Sequence, residues 1–306
     1  TPASHFDVWD TFRNIDDRNI STKLSGQNFN LALAALNKAN DDYQDFNGTV
    51  CTQVVDTANA NSVKSMWTKS YFLDNNLTTI SLNVPTAVKN AQVNIVWKRD
   101  VDEACPLVGE DNRTFSSDDF AVRPNNFDIG LSSPIKAAQD FNVTFYANDI
   151  SGNATGDYNE IVTSSLDVNV TELKPACKTA LFNPDIKGGW QFTNGAKTLS
   201  TKYPDVGELS IIISENSKPC SLRFSGVDCE DKNITGWWNT DTNLSIESKQ
   251  SILSILADHF NVGVVSHDFE DGAFTYLSKD LNMSAYADIN ITAQNRDNLR
   301  TENYNT

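Results

Sequence analysis

The apolar residues of this chain recur mainly at every second position. The segments Phe141–Ala147, Asp167–Thr171 and Asp288–Thr292 all alternate polar with apolar side chains. A period of two is typical of a β-strand with one buried face and one solvent face. Other alternating or β-branched runs, separated by Asn, Asp, Gly and Pro, predict strands at Thr79–Val84, Ala91–Lys98, Ile161–Leu173, Gly189–Phe192, Glu208–Ser214 and Ser221–Phe224.

Helix signals are sparse, and two segments leave the choice between helix and strand open. Leu31–Ala39 and Lys249–Leu256 fit either element. The polar segment Asn148–Asp157 predicts a hairpin-type connection, because Gly152 and Gly156 can take a positive φ without steric cost. These patterns together predict an all-β protein.

An internal repeat organises these strands. Three stretches begin alike, and a tyrosine in a polar turn follows the next alternating strand of each. The starts are His5-Phe-Asp-Val8, Asn126-Phe-Asp-Ile129 and His259-Phe-Asn-Val262, and the tyrosines are Tyr43, Tyr158 and Tyr304. The spacings between the leading phenylalanines are 121 and 133 residues, which suits antiparallel Greek-key sandwiches of the Ig-like type in tandem. We predict domains at residues 1–118 and 119–256 and a partial third repeat at 257–306. The partial repeat would expose sheet edges unless a strand from elsewhere pairs with it.

Composition narrows the possible partners. A net charge of −16 disfavours nucleic acid and anionic lipid, because both would be repelled. No apolar run approaches 18 residues, so we expect no membrane insertion by this segment. The chain starts without a methionine or an apolar leader, and we expect it to be part of a longer exported protein.

The five cysteines predict disulfides rather than a metal or redox motif. Their spacings match neither a zinc site nor Cys-x-x-Cys, and an oxidising compartment would pair them and leave one over. We expect Cys51 to pair with Cys105, because both lie in the first repeat. Cys220 with Cys229 is the expected second pair, although Cys177 could replace either of those two.

Eleven Asn-x-Ser/Thr triplets, the acceptor sequence of N-glycosylation, are present, and ten carry Asp or Glu two positions before the asparagine. Random placement of the 40 acidic residues among 306 positions would give about 1.4 such cases. The ten acceptors are Asn19, Asn47, Asn76, Asn112, Asn142, Asn169, Asn233, Asn243, Asn282 and Asn290, and the exception is Asn153.

A polar strand face could produce this pattern by chance, but it would also produce the reversed order, and no reversed copy occurs. The motif resembles the Asp/Glu-x-Asn-x-Ser/Thr acceptor of the oligosaccharyltransferase of ε-proteobacteria. That resemblance implies a heavily N-glycosylated, exported protein. We expect strand copies such as Asn142 and Asn290 to be harder to reach than loop copies such as Asn47, Asn76 and Asn112, because paired strands are less accessible.

Short strings at the repeat borders resemble a known module. Phe120–Phe127, Val170–Cys177 and Ala257–Val262 are similar to the borders of Ig-like modules in large bacterial surface proteins, the MshQ-like family associated with mannose-sensitive haemagglutinin pili. Asp149–Asn153 resembles the turn after the second strand of bacterial Ig-like repeats. The resemblance implies a secreted stalk or adhesin and supplies no catalytic residues.

Candidate chemistry is limited. His5 and His259 occupy equivalent repeat starts, which favours a structural role such as a hydrogen bond between domains. No nucleophile elbow, phosphate loop or zinc-protease motif occurs in the sequence. We therefore assign no catalytic residue, and a surface-associated hydrolase is the least favoured alternative.

Two binding hypotheses remain open. Clusters of acidic residues could bind calcium and stiffen the array of domains, or they could lie in solvated turns without a metal. The acidic residues are Asp41, Asp42, Asp45, Asp100, Asp102, Glu103, Asp118 and Asp119. Trp237 and Trp238 lie between two acceptor asparagines, and an exposed tryptophan could stack on a sugar ring, so a carbohydrate-binding module is the alternative function.

The leading hypothesis is a noncatalytic stalk or adhesin segment of a bacterial cell-surface protein, exported through the periplasm. Its partners would be neighbouring repeats or copies of a longer surface protein, and a glycan or cell-surface ligand. No cofactor other than calcium is expected.

Overall fold

The computed structural model describes residues 5–37, 42–109, 112–162, 166–173, 181–215, 246–269 and 285–305. Within them the regular elements are strands, apart from two short 3-10 turns at Thr57–Asn59 and Glu302–Asn305. The all-β prediction is confirmed, and the strands form three successive sets that we call modules 1, 2 and 3.

In module 1 the described residues form ten strands in two sheets. They are β1 (His5–Asp10), β2 (Lys23–Leu24), β3 (Asn28–Leu36), β4 (Phe46–Asp56), β5 (Ser62–Val63), β6 (Thr68–Asn75), β7 (Leu77–Asn83), β8 (Val88–Arg99), β9 (Asn112–Phe115) and β10 (Phe120–Arg123). One sheet has the order β1-β3-β7, and the other has the order β2-β10-β8-β4-β5, with β6 paired to β4 and β9 to β8. Residues from both sheets form one apolar core between them.

Module 2 repeats this plan with seven described strands. They are β11 (Asn126–Leu131), β12 (Ile135–Lys136), β13 (Phe141–Asn148), β14 (Leu166–Glu172), β15 (Ala196–Thr201), β16 (Gly207–Glu215) and β17 (Lys249–Leu256). Its sheets have the orders β11-β13-β15 and β12-β17-β16-β14. In module 3 the described strands are β18 (His259–Phe269) and β19 (Ala285–Gln294), which pair antiparallel.

The change from module 1 to module 2 lies between Arg123 and Asn126, later than the sequence boundary at residue 118. Strand β10 belongs to module 1, because it pairs antiparallel with β8 and parallel with β2. Phe120 and Val122 are buried in the first core. The same parallel closure recurs in module 2, where β12 pairs with β17.

Several predicted elements differ in detail. The two ambiguous segments are strands, β3 and β17. Gly189–Phe192 forms only an isolated bridge to Ile161 through Gln191, and Ser221–Phe224 lies outside the described residues. Asn148–Asp157 turns back on itself as expected, because Asn148 and Ala154 form an antiparallel bridge. The next strand along the chain, β14, nevertheless lies in the other sheet. Gly152 has a φ of +83°, whereas Gly156 has no positive φ.

Aromatic side chains fill both cores. In module 1 the ring of Phe6 lies 5.0 Å from those of Phe46 and Trp97. In module 2 the ring of Trp190 lies 4.8 Å from Phe145 and 5.3 Å from Phe192. Phe6, Phe46, Trp97 and Phe145 lie on strands, whereas Trp190 and Phe192 flank the bridge residue Gln191.

A disulfide joins Cys51 of β4 to Cys105, the pairing expected from the sequence. Their Cα atoms are 5.9 Å apart. Cys51 packs with Val96 and Leu107 in a small apolar cluster, and the half-buried Trp67 lies against it. The bond therefore ties the segment after β8 to the middle of the sheet.

Candidate functional site

Modules 2 and 3 share a turn, after β13 and β19 respectively, that contacts the preceding module. We call these segments the junction turns, residues 149–153 and 295–299. In the first, Asp149 Oδ1 accepts hydrogen bonds from the backbone N–H of residues 151 and 153, at 2.8 and 2.9 Å. In the second, Asn295 Oδ1 accepts from residues 297 and 299, both at 3.0 Å. The side chain thus fixes each turn internally.

The left-handed residue of each turn is also equivalent. Gly152 has a φ of +83° and Asn298 a φ of +62°. Each donates its N–H to the carbonyl of the first turn residue, at 3.1 and 3.0 Å. Glycine and asparagine are the residues that adopt this conformation most readily, so two different sequences give one geometry.

Each junction turn donates a backbone hydrogen bond to the module before it. Ile150 N–H bonds to the carbonyl of Ser25 at 3.2 Å, and Arg296 N–H bonds to the carbonyl of Ala137 at 3.0 Å. Ser25 and Ala137 are equivalent, because each follows the short strand of the parallel pair. Their own N–H groups bond to the last residues of β10 and β17, at 2.9 and 2.8 Å. The end of one module is therefore linked to the start of the next by the same pattern twice.

A second layer of contacts differs between the junctions. At the first, Ala87 donates its N–H to the carbonyl of Gly156 at 2.8 Å. At the second, the carboxylate of Asp205 accepts from the N–H groups of Glu302 and Asn303, at 3.2 and 3.3 Å. A side chain in the second junction therefore takes the place of a backbone contact in the first.

Ion pairs surround both junctions. At the first, Lys64 lies 2.7 Å from Asp157, and Lys89 lies 2.9 Å from Glu160. At the second, Lys202 lies 3.3 Å from the exposed Asp297. Partly exposed pairs of this kind contribute roughly 0–1 kcal/mol each, so they orient the modules more than they stabilise them.

A buried ion pair links module 1 directly to module 2. Arg123, the last residue of β10, pairs with Glu215, the last residue of β16, and both side chains are buried. The second carboxylate oxygen of Glu215 accepts from Ile246 N–H at 2.8 Å. Removing one partner of a buried pair leaves an uncompensated charge, so this contact strongly couples the two modules. The sequence contains no signal that identifies Glu215 as the partner, because the two residues are distant in the chain.

Two of the three repeated tyrosines lie beside the junctions, one buried and one half exposed. Tyr158 is buried in module 2 with its ring 5.4 Å from Phe192. Tyr304 is half exposed and lies 5.3 Å from Phe260. A groove of about 600 Å³ that includes Lys136 and Glu208 opens beside it. The equivalent space at the first junction is about 40 Å³.

Module 3 presents an apolar face to solvent among the described residues. Phe260, Val262 and Val264 of β18 and Ile289 and Ile291 of β19 are each at least half exposed. The leading residues of the other repeats, such as Phe6, Val8, Phe127 and Ile129, are buried by a second sheet. The described part of module 3 thus has the inner face of an Ig-like sheet without a described cover.

The acceptor asparagines that the structure describes lie at the surface. Asn142, Asn169 and Asn290, on strands β13, β14 and β19, are exposed, as are Asn19, Asn112 and Asn153, whereas Asn47 and Asn76 are half-buried. Asn233, Asn243 and Asn282 lie outside the described residues. Exposure of the strand copies follows from alternation, since their neighbours Val143 and Val168 point into the core. Asn47, which was expected in a loop, lies in β4, whereas Asn76 lies between β6 and β7. The side chains of Asn142, Asn169 and Asn290 are more exposed than those of Asn47 and Asn76, contrary to the expectation for strand copies.

The other candidate side chains have structural contacts. His259 Nδ1 and Nε2 lie 3.0 Å from Asp258 Oδ2 and 3.0 Å from Gln294 Oε1, within module 3 rather than across a junction. Glu103 pairs with Lys98 at 3.0 Å. Asp102 pairs with Lys69, Asp118 accepts from Ile20 N–H, and Asp45 accepts from Asn76 Nδ2.

In the described part of the chain, no three acidic, histidine or cysteine side chains converge on a possible metal site. Calcium binding stays a prediction, and Asp41 is not among the described residues. Trp237, Trp238, Cys177, Cys220 and Cys229 also lie outside them. None of the helical turns described is long or apolar enough to span a membrane.

No family model and no curated protein matches this chain. Among solved structures it is similar to invasin, a bacterial integrin-binding protein, with 8% identity and a TM-score of 0.34 over 97% of this chain and 57% of that chain. Domains 4 and 5 of the S-layer protein SbsC match with 13% identity and a TM-score of 0.24 over 84% of this chain and 100% of theirs.

A family 2 glycosyl hydrolase member from Bacteroides cellulosilyticus matches with 8% identity and a TM-score of 0.27, over 76% of this chain and 23% of its own. The chain thus spans about a quarter of that hydrolase and just over half of the invasin chain. Similarity at this level carries no information about function.

Proposed function

We propose that this chain is a noncatalytic, N-glycosylated stalk segment of a bacterial surface adhesin, in which consecutive Ig-like modules are held at set angles. The observation that carries the proposal is the junction built twice from equivalent residues. Modules joined by a bare linker move relative to one another by default. A repeated set of backbone hydrogen bonds instead favours a spacer that holds its direction.

The contact energies are adequate for this role. Each hydrogen bond contributes about 1 kcal/mol net, and the first junction has Ile150–Ser25 and Ala87–Gly156 between backbones. The buried Arg123–Glu215 pair adds a further contact, and losing either partner would leave the other charge buried without compensation. Together they favour the docked arrangement by a few kcal/mol, enough to keep an undocked state rare.

Two further features support an extracellular location. The Cys51–Cys105 disulfide is typical of an oxidising compartment. The exposed acceptors Asn142, Asn169 and Asn290 could hold glycans without disturbing either core. The partners that fit this role are further modules or copies of the surface protein and a cell-surface ligand. No described residue favours the carbohydrate-binding or hydrolase alternatives.

Residual dipolar couplings test the stalk proposal, because they give each module its own alignment tensor. We expect modules 1 and 2 to share one tensor magnitude in the unaltered protein. Asp149→Ala should separate the two magnitudes, because the first junction turn loses its internal cap. Asn14→Ala is the matched control, since Asn14 Oδ1 also accepts from two backbone N–H groups but caps a turn inside module 1. Unequal tensors in the unaltered protein would refute a rigid junction.

A further inference from the structure

Acceptor sites in this protein differ in one respect that the sequence does not show, the burial of the hydroxyl residue. Because the triplet requires Ser or Thr after the asparagine, the modifying enzyme must contact that hydroxyl. In the folded protein Ser21 is 1% exposed and Thr49 is 0% exposed. They belong to the acceptors Asn19 and Asn47, which we call the closed acceptors.

The burial at Thr49 is part of the fold. Its Oγ1 donates to the carbonyl of Val101 at 2.7 Å and accepts from Glu103 N–H at 3.1 Å. This places the hydroxyl beneath the segment that the Cys51–Cys105 disulfide holds against the sheet. Freeing the hydroxyl therefore requires this side of module 1 to open.

Ser21 is held through its backbone instead, and its buried hydroxyl makes no hydrogen bond within the described part of the chain. Its backbone N–H donates to Asp10 Oδ2 at 2.7 Å, and Asp10 is itself buried and paired with Lys23 at 2.5 Å. The asparagine side chain of the same triplet, Asn19, is exposed. A glycan on Asn19 would therefore fit on the folded surface, although the enzyme could not contact the Ser21 hydroxyl in the folded protein.

Asn169 and Asn290 present the opposite arrangement, and we call them the open acceptors. Both asparagines are exposed, Thr171 is exposed and Thr292 is half-buried. Strand β14 is the edge of its sheet, and β19 pairs with β18 alone among the described strands. Acid, asparagine and hydroxyl lie at alternate positions on one solvent face, beside a backbone edge without a described partner.

We infer that the closed acceptors can receive a glycan only before module 1 folds, whereas the open acceptors remain substrates in the folded protein. This inference rests on the proposed glycosylation. In the reaction the asparagine amide nitrogen bonds to the anomeric carbon of an activated oligosaccharide, whose bond to a phosphate leaving group breaks. The amide proton passes to a base of the enzyme. A glycan found on Asn19 or Asn47 would therefore show that the site was modified before module 1 folded.

The test compares the folded protein with the same chain unfolded in denaturant and diluted directly into the reaction. Both are incubated with an acid-dependent oligosaccharyltransferase and a polyprenyl-pyrophosphate-linked sugar, and occupancy is followed by peptide mass spectrometry. A short Asp-x-Asn-x-Thr peptide confirms enzyme activity. We expect similar initial rates at all four sites in the unfolded chain. In the folded protein we expect rates at Asn169 and Asn290 at least about tenfold above those at Asn19 and Asn47.

Equal rates at closed and open acceptors in the folded protein would overturn the inference. No modification of the unfolded chain, with the peptide modified normally, would instead overturn the glycoprotein part of the proposed function. Val8→Ala provides a second measurement, because Val8 is fully buried in module 1. The substitution should raise the rate at Asn47 about 30-fold by populating the open state and leave the rate at Asn169 unchanged. An unchanged rate at Asn47 in a measurably destabilised variant would contradict the inference.

Discussion

Removing the disulfide should destabilise module 1 and leave module 2 intact. The perturbation is Cys51→Ala with Cys105→Ala, which opens a loop of 54 residues. In the chain-entropy account, a disulfide that closes a loop of this length raises the free energy of unfolding by about 4 kcal/mol, and the double variant loses that contribution. Cys51 is also fully buried against Val96 and Leu107, so its truncation adds about 1 kcal/mol of lost packing.

A loss of about 5 kcal/mol is large beside the 5–15 kcal/mol typical of a domain. With an m-value of about 1.5 kcal/mol/M, the urea midpoint of module 1 should fall by roughly 3 M. Hydrogen exchange at increasing urea, read by mass spectrometry, assigns the change to peptides of each module. Peptides from β4 and β8 should lose protection early, while those from β13 and β16 keep theirs.

The reduced form of the unaltered protein is the control, because it lacks the bond but retains both sulfur atoms. It should account for about four-fifths of the loss. A shift below about 1 kcal/mol in the double variant would refute the reasoning, since loop closure would then contribute little to this fold. Equal losses in modules 1 and 2 would show that the modules unfold as one unit.

Three further predictions, which use five single substitutions, test side-chain packing and backbone conformation. Val8→Ala should lower the free energy of unfolding in urea by about 2 kcal/mol, because Val8 is fully buried. The equivalent Val262→Ala should lower it by less than about 0.5 kcal/mol, because Val262 is 57% exposed. Equal losses would mean that module 3 has a packed face. Arg123→Ala should cost about 3–5 kcal/mol by the same assay, since it leaves a buried carboxylate without its partner; a loss under 1 kcal/mol would contradict this. Gly195→Ala should destabilise far more than Gly152→Ala, by about 3 against 1 kcal/mol in thermal unfolding. Both have positive φ, but only at Gly195 would the new Cβ lie 2.4 Å from a backbone oxygen.

Alternation along the chain was sufficient to predict the class of fold and the faces of its strands. Because side chains of a strand point alternately to opposite sides, Phe141, Val143 and Phe145 had to face one way and Asn142 the other, and the structure buries the three apolar residues. The Cys51–Cys105 pairing was also predictable from the repeat that contains both. These features depend on residues within one strand or one repeat.

The pairing of β10 was not predictable in this way. Its residues follow the join of two repeats in sequence, yet Val122 pairs with Lys23 at the opposite end of module 1. The turn residues between Arg123 and Asn126 gave no indication of which sheet the preceding strand joins. The turn at Asn148–Asp157 was predictable, but the sheet that the next strand, β14, joins was not, because strand order is a property of the whole sheet.

Accessibility was decided by the tertiary structure alone. The triplets at Asn47 and Asn169 are alike in sequence, but Thr49 bonds to Val101 and is fully buried, whereas Thr171 is exposed on an edge strand. The junction turns likewise acquire their role only when Ser25 and Ala137 are brought beside them. The chain's own periodicity determined which side chains point outward. Only contacts between residues many positions apart determined which outward groups stay open to solvent, since burial results from what the rest of the chain packs against them.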